Sequence, residues 1–305
     1  MSKTIEQNAR PVIFGELLYD HYPDGNKLLA GAALNVAWHL QGFGLRPIFV
    51  SRIGQDTEGE LALTAMIRWG MDTRAVQIDP KHQTGNVLLS QIGNENQFEI
   101  RSEQAWDFIS SAAVMDWLKH LPCSLIYAGS LAQRNSISRK TLQRIILETE
   151  LPLFVDINLR QPWNETEIIQ QCLESAHWLK VSDEELAELT DKTVQSADEL
   201  QNAAITLKRK YDISSLYITS GAKGAALINE RGMKQLTATS SNVVDTVGAG
   251  DAFSAVAILG LHLGWNDFQI IKNANEFAAR ICEKQGGTPL TQKDYNQFLE
   301  QWQSA

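Results

Sequence analysis

Val244-Asp245-Thr246-Val247-Gly248-Ala249-Gly250-Asp251-Ala252-Phe253 sets a turn of small residues directly before an apolar helical stretch. Gly248 and Gly250 open backbone angles closed to other residues and let a ligand lie against the main chain. The unpaired N–H groups and positive dipole end of the following helix attract anionic oxygens. Asp251 then reads in two ways: as a carboxylate that takes a proton from a hydroxyl beside the bound anion, or as the acidic residue that helix starts favour anyway. At a helix N-terminus it is expected to stay ionised, which suits a hydrogen-bond acceptor better than a strong base.

Outward from this turn, short β-rich apolar runs alternate with helical patterns: Pro11–Gly15, a helix over Ala32–Gly44, Pro47–Ser51, a helix over Thr57–Gly70. Strands over Ser124–Ala128, Pro152–Asp156, Trp178–Val181 and Ser215–Thr219 continue the series. The alternation predicts βαβ units, an α/β fold and a mainly parallel central sheet of buried strands. One region departs from it. Thr84–Gln91 and Gln97–Arg101 flank Ile92-Gly93-Asn94-Glu95-Asn96, a turn suited to a hairpin. With Leu17–Leu29 it is expected to form a small β sheet, inserted at about 17–29 and 84–101 into one domain spanning 1–305, unless it is only a surface hairpin.

The 305 residues hold 44% hydrophobic and 21% charged side chains, ordinary for a globular chain, and no apolar run is long enough to span a bilayer. Met1 to Arg10 is polar and lacks an apolar secretion core, so a cytoplasmic location is expected. Cys123, Cys172 and Cys282 are scattered and read as reduced. A net charge of −9 argues against nucleic-acid or membrane partners and leaves small anions to a local pocket.

Asp-Thr-x-Gly-Ala-Gly-Asp-x-Phe resembles the C-terminal signature of the ribokinase-like (PfkB) sugar kinases. Ala30-Gly31-Ala32-Ala33-Leu34-Asn35-Val36-Ala37, running into Leu40-Gln41-Gly42-Phe43-Gly44, resembles that family's Gly-Gly-x-x-x-Asn-x-Ala substrate motif, with Ala30 in place of the first glycine. The resemblance implies a ribokinase-like three-layer sandwich with a β lid, and a lid that also mediates a homodimer. It makes Asp251 the catalytic base and the amides of Gly248, Ala249 and Gly250 an anion hole. Asp20, Gly31 and Asn35 become sugar-binding positions. Asp156-Ile157-Asn158-Leu159-Arg160 resembles the family's Asp-x-Asn-x-Arg segment and puts Arg160 with the substrate residues, as a bidentate partner for phosphate.

Lys180-Val181-Ser182-Asp183-Glu184-Glu185 stands at the family's Asn-x-x-Glu motif, with Ser182 for the asparagine and Glu185 acting on magnesium through water. The same residues have capping-box spacing, and both roles are compatible. Thr219-Ser220-Gly221-Ala222-Lys223-Gly224 resembles the turn that lines the ATP site, making Thr219, Gly221 and Gly224 nucleotide residues. Asn275, in a helix predicted over Asn273–Glu283, and the Gly286-Gly287 turn resemble segments that enclose adenine and ribose. A potassium-like ion near Asp245 or Thr246 is a further family property.

No Walker-type P-loop, dinucleotide fingerprint, His-Glu-x-x-His, Gly-x-Ser-x-Gly or zinc-like cluster occurs. The expected activity is ATP-dependent phosphorylation of a sugar. Asp156-Ile157-Asn158-Leu159-Arg160-Gln161-Pro162-Trp163 and Gly129-Ser130-Leu131 look most like fructokinase-type members, which favours fructose. A kinase for 2-keto-3-deoxygluconate or another sugar, and a catalytically silent sugar-binding regulator, are the alternatives.

Overall fold

The computed structural model describes residues 8–92 and 95–303. Its strands are β1 (Arg10–Phe14), β2 (Leu18–His21), β3 (Lys27–Ala30), β4 (Ile48–Gly54), β5 (Val76–Asp79), β6 (Gly85–Ile92), β7 (Glu95–Ile100), β8 (Cys123–Gly129), β9 (Leu153–Asp156), β10 (Trp178–Ser182), β11 (Ser215–Thr219), β12 (Ala225–Asn229) and β13 (Gly232–Leu236). Its helices are α1 (Ala32–Gly42), α2 (Thr57–Arg68), α3 (Met115–Leu118), α4 (Ser136–Thr149), α5 (Thr166–Ser175), α6 (Asp183–Thr190), α7 (Ala197–Lys210), α8 (Ala249–Leu263), α9 (Asp267–Ile281) and α10 (Gln292–Gln303).

Nine strands form the central sheet in the order β13-β12-β11-β10-β9-β8-β1-β4-β5. Pairing is parallel from β5 to β11, and β12 and β13 add an antiparallel edge. Successive side chains of a strand face opposite sides, and β1 shows why the molecule has three layers. Val12 and Phe14 join one core, which includes apolar residues of α4 to α7, while Ile13 joins the other, built with α1, α2, α8, α9 and α10. From β1 the sheet grows one way to β4 and the other way to β8. Open α/β sheets bind ligands at such a reversal, outside the carboxyl ends of the strands.

The lid is a separate four-stranded sheet, β3-β2-β6-β7. Its hairpin is antiparallel, as the sequence pattern predicts, but β2 pairs with β6 in parallel, Asp20 opposite Val87. Of the predicted turn, Gly93 and Asn94 lie outside the described residues. α9 begins at Asp267, earlier than the predicted Asn273, because Asn266 and Gln269 form a capping box. Among the described residues no helix is long and apolar enough to cross a membrane.

Candidate active site

The carboxyl ends of β1, β9, β10 and β11, together with the start of α8, converge on one side of the sheet. α8 is buried from Ala252 to Gly260, so its N-terminus is fixed by packing against α1 and α9. Gly248 is its N-cap at φ 78°, and a Cβ there would lie 2.4 Å from Gly287 Cα. No side chain caps this helix; Ala249 N donates to Thr246 O at 3.3 Å, and the next first-turn amides, of Gly250 and Asp251, point toward a place for an anion. Gly250 differs from the expected strained glycine. It sits inside the first turn without a positive φ, and its missing Cβ makes room for Lys180 Nζ, 2.9 Å from where that carbon would stand.

Asp251 and Asn35 come together across the fold: Asn35 Nδ2 donates to Asp251 Oδ2 at 2.7 Å. Asn35 is buried, and its Oδ1 has no partner. The ionised carboxylate expected of a helix start meets an opposing environment here. Burial and the negative charge of Asp156 push its pKa up, against the opposing pull of Asn35, Lys180 and Arg160. The raised value makes Asp251 a better base than helix-terminal placement alone implies.

Lys180 and Asp156 complete this floor, and the sequence reading assigned neither a role of its own. Lys180 Nζ donates to Asp156 Oδ1 at 3.0 Å and Ser254 Oγ donates to Asp156 Oδ2 at 2.8 Å. Burial works against the Lys180 charge, but Asp156, Glu185 and Asp251 outweigh it and hold the ammonium charged. The available signal was a lysine alternating with apolar residues at the end of a central strand. Glu16, just beyond β1, was also missed. It is buried, and its carboxyl is pushed up to about 7, by burial first and by Asp251 in addition.

The predicted sugar residues divide. Asp20, on β2, has its carboxyl raised to about 6 by burial, against the attraction of Arg160 and with added repulsion from Asp245 and Asp251. Arg160 is exposed, and its Nη1 donates to the carbonyl of its neighbour Leu159 at 3.3 Å. Gly31 has φ 121°, and a Cβ would stand 2.6 Å from Glu16 O, so close backbone packing explains this glycine without a ligand.

Glu185 is a capping residue in this geometry. Its Oε2 accepts from Ser182 N at 2.7 Å, its Oε1 from Leu159 N at 2.8 Å, and Ser182 Oγ accepts in return from Glu185 N. Among the described residues no group of three His, Cys, Asp or Glu side chains converges as a metal cage. At the expected nucleotide turn, Gly221 has φ 49° and open space about it, whereas Gly224 is needed because a Cβ would meet Leu236 O at 2.0 Å. Thr219 ends β11 in register with Ser182, and Asn275 Nδ2 donates to Thr237 O at 2.8 Å, tying α9 to the chain beyond β13. Gly287 packs on Asn35 and Gly248 and accepts a contact from His39 Nε2 at 3.0 Å, so this turn buttresses the Asp251 end of the site.

The profile of the pfkB family carbohydrate kinases matches residues 10–294. The chain belongs to that family. It is a carbohydrate kinase, an enzyme that moves a phosphoryl group from ATP to a sugar hydroxyl. Among curated relatives, a fructokinase of Escherichia coli is 27% identical over 270 residues, covering 83% of this chain and 85% of the relative. A fructokinase of Vibrio alginolyticus is 28% identical over 286 residues, covering 87% and 89%. In fold, the kinase matches Vibrio cholerae O395 fructokinase, solved with fructose, ADP and calcium, at a TM-score of 0.79 and 24% identity, over 96% of this chain and 100% of that one. Aminoimidazole riboside kinase of Salmonella enterica matches at 0.79 and 24%, over 95% and 99%.

Proposed function

We propose that this kinase phosphorylates a hydroxyl of fructose, with Asp251 orienting that hydroxyl and taking its proton. The carrying observation is the Asn35–Asp251 pair, in which one carboxylate oxygen is held at 2.7 Å and the partner amide keeps an unpaired Oδ1. A substrate hydroxyl that donates to Asp251 and a second that donates to Asn35 Oδ1 satisfy both groups. The hydroxyl oxygen then attacks the γ-phosphorus, the bond from phosphorus to the ADP oxygen breaks, and the proton passes to Asp251. Phosphoryl transfer depends chiefly on positioning and on neutralising oxygen charge. The Gly250 and Asp251 amides of α8 and the ammonium of Lys180 beside Gly250 supply that neutralisation.

Magnesium fits this donor set as an ion that keeps its waters. Both Glu185 oxygens already accept a backbone N–H, so the carboxylate suits a water ligand better than direct coordination. When bound, the ion would supply positive charge to offset that of the phosphate oxygens, with Glu185 holding it through water. Thr219, Gly221, Gly224 and Asn275 frame the proposed nucleotide end, Gly224 and Asn275 by shaping the backbone there. A potassium-like ion is proposed near Asp245 or Thr246; the Asp245 oxygens accept from the Val247 and Gly286 amides. The family resemblance also underlies a homodimer through the lid.

The charge around Asp20 favours a neutral sugar over a sugar acid. Burial raises Asp20 first, the Arg160 charge pulls against it, and Asp245 and Asp251 add smaller repulsions. A substrate carboxylate would add a further negative charge. An ATP-coupled screen over fructose, ribose, tagatose, glucose, 2-keto-3-deoxygluconate and nucleosides tests the proposal. Fructose is expected to give the highest kcat/KM; a clear preference for the keto-deoxy acid or a nucleoside rejects it.

A further inference from the structure

Arg134, just after Leu131–Gln133 at the end of β8, lies outside every motif above. Its side chain is 3% exposed, and its contacts lie on three stretches of chain: the Ala105–Phe108 turn, Arg101 after β7, and Trp163 beyond β9. Nε and Nη2 donate to Asp107 Oδ1 and Oδ2, each at 2.8 Å, a bidentate pair. Nη2 also donates to the carbonyl of Arg101, the residue that follows lid strand β7. The guanidinium is sandwiched between two indoles, 4.1 Å from the centre of Trp106 and 4.3 Å from that of Trp163.

These contacts reach both roots of the lid. Trp106 packs under Gly85, the first residue of β6, where a Cβ would lie 2.5 Å from its Nε1. Asp107 accepts from Gln104 N at 3.0 Å, and Gln104 Oε1 accepts from Asn86 N at 3.1 Å, while Gln104 Nε2 donates to Ser102 O at 2.9 Å. On the other side, Trp163 N donates to Arg160 O at 2.6 Å, so the second indole is fastened to the residue that faces Asp20. Asp20 itself rides on β2, paired to lid strand β6. Between the two sides runs an open groove of about 530 Å³, walled by Glu99, Ile100, Arg101 and Ser102 from the lid and by Pro162 and Trp163 from the loop. Arg134 bonds one wall and stacks on the other.

We propose that Arg134 is a positioning residue that couples the lid to the Arg160 loop, fixing the spacing of Asp20 and Arg160 across the sugar. The proposal rests on the sugar-kinase reading of the site. The contacts of Arg134 itself run to the lid and to Trp163, so the coupling acts first on the sugar; the loop meets the metal side at Leu159 N, which donates to Glu185. Lysine keeps the charge at this position but cannot span Asp107 bidentately, reach Arg101 and stack on both rings.

The test is steady-state kinetics and thermal unfolding of the full chain as wild type, Arg134→Lys, Arg134→Ala and Trp163→Leu, with the sugar the wild type uses best. Misplacement of about an ångström costs on the order of 10²-fold, so kcat/KM for the sugar is expected to fall by about that factor in Arg134→Lys, mostly through KM. The KM for ATP should stay within about twofold of wild type, since no ATP contact changes. Millimolar guanidinium should restore part of the sugar KM in Arg134→Ala and leave the wild type unchanged. An unshifted sugar KM in Arg134→Lys, or sugar and ATP KM rising together, overturns the coupling. Should both Arg134 variants fail to fold, Trp163→Leu decides: a raised sugar KM at constant ATP KM supports the proposal and wild-type values overturn it. A wild type with no sugar-dependent turnover overturns the kinase reading as well, whereas normal wild-type turnover with unshifted variants sinks the coupling alone.

Discussion

Glu16 carries two burdens at once. α1 starts at a glycine and has no side-chain cap of its own, and Glu16 Oε1 faces the backbone N–H of Ala33 at 3.4 Å, in place of that cap. The same carboxyl is buried beside Asp251 and is raised from 4.5 to about 7. A raised carboxyl favours the protonated fold, so its stabilising contribution is complete below about 4.5 and disappears as pH climbs to about 7, on the order of 3 kcal/mol. Glu16→Gln cannot titrate. Between about pH 5 and pH 8 the wild-type unfolding temperature should fall relative to that of the glutamine variant; parallel curves would place Glu16 elsewhere. This residue was not legible in the sequence because its partners lie 17 positions downstream and 235 positions downstream, and neither spacing is a helical or strand period. Asp251 and Asn35 were legible through the two motifs that contain them, since a carboxylate at a helix start also has a capping use. Their mutual bond was not, since it depends on how α1 and α8 pack.

At the scale of elements, period and end signals located most of the fold, and pairing did not follow from them. The strands from β8 to β11 were placed to within a residue or two by their apolar runs. β12 and β13 were missed: Gly232–Leu236 is mostly exposed, while Ala225–Asn229 is a buried apolar run that follows the Gly221–Gly224 turn directly. The parallel join of β2 to β6 was also invisible, since alternation marks a strand without naming its neighbour. Asp56 is the clearest case of an end signal with a second use. It caps α2 through Gly59 N at 2.8 Å and also accepts from Thr84 N at 2.8 Å and Thr84 Oγ1 at 2.7 Å, at the root of β6. Although burial raises its carboxyl, these bonds pull it below the usual range. Asp56→Ala removes the cap and strands the Thr84 amide, at a cost of about 2 kcal/mol. Equilibrium denaturation checks this, and a loss no larger than that of an exposed surface substitution would show that water replaces the carboxylate.

For the whole molecule, the decisive feature is a contact between residues 216 positions apart, Asn35 near the start of the chain and Asp251 near its end. The sheet reversal at β1 and β8 makes it possible, by placing α1 and α8 on the same face with their N-termini toward the strand ends that carry Glu16, Asp156 and Lys180. Fold class was readable from the βαβ alternation, while the choice of sugar was not, since the proposed sugar residues Asp20, Asn35 and Arg160 lie on three separate stretches of chain whose spacing the sequence does not give. The account stands or falls on Asp251 as the acceptor's base. Sugar-dependent ADP formation by Asp251→Asn, measured beside ATP binding and thermal unfolding, is therefore the most direct test. Asparagine preserves size, helix-start preference and much of the hydrogen bonding, so the account predicts a folded protein with near-normal ATP affinity and turnover reduced by about 10²–10⁴-fold. Near-wild-type turnover in that folded variant would contradict it.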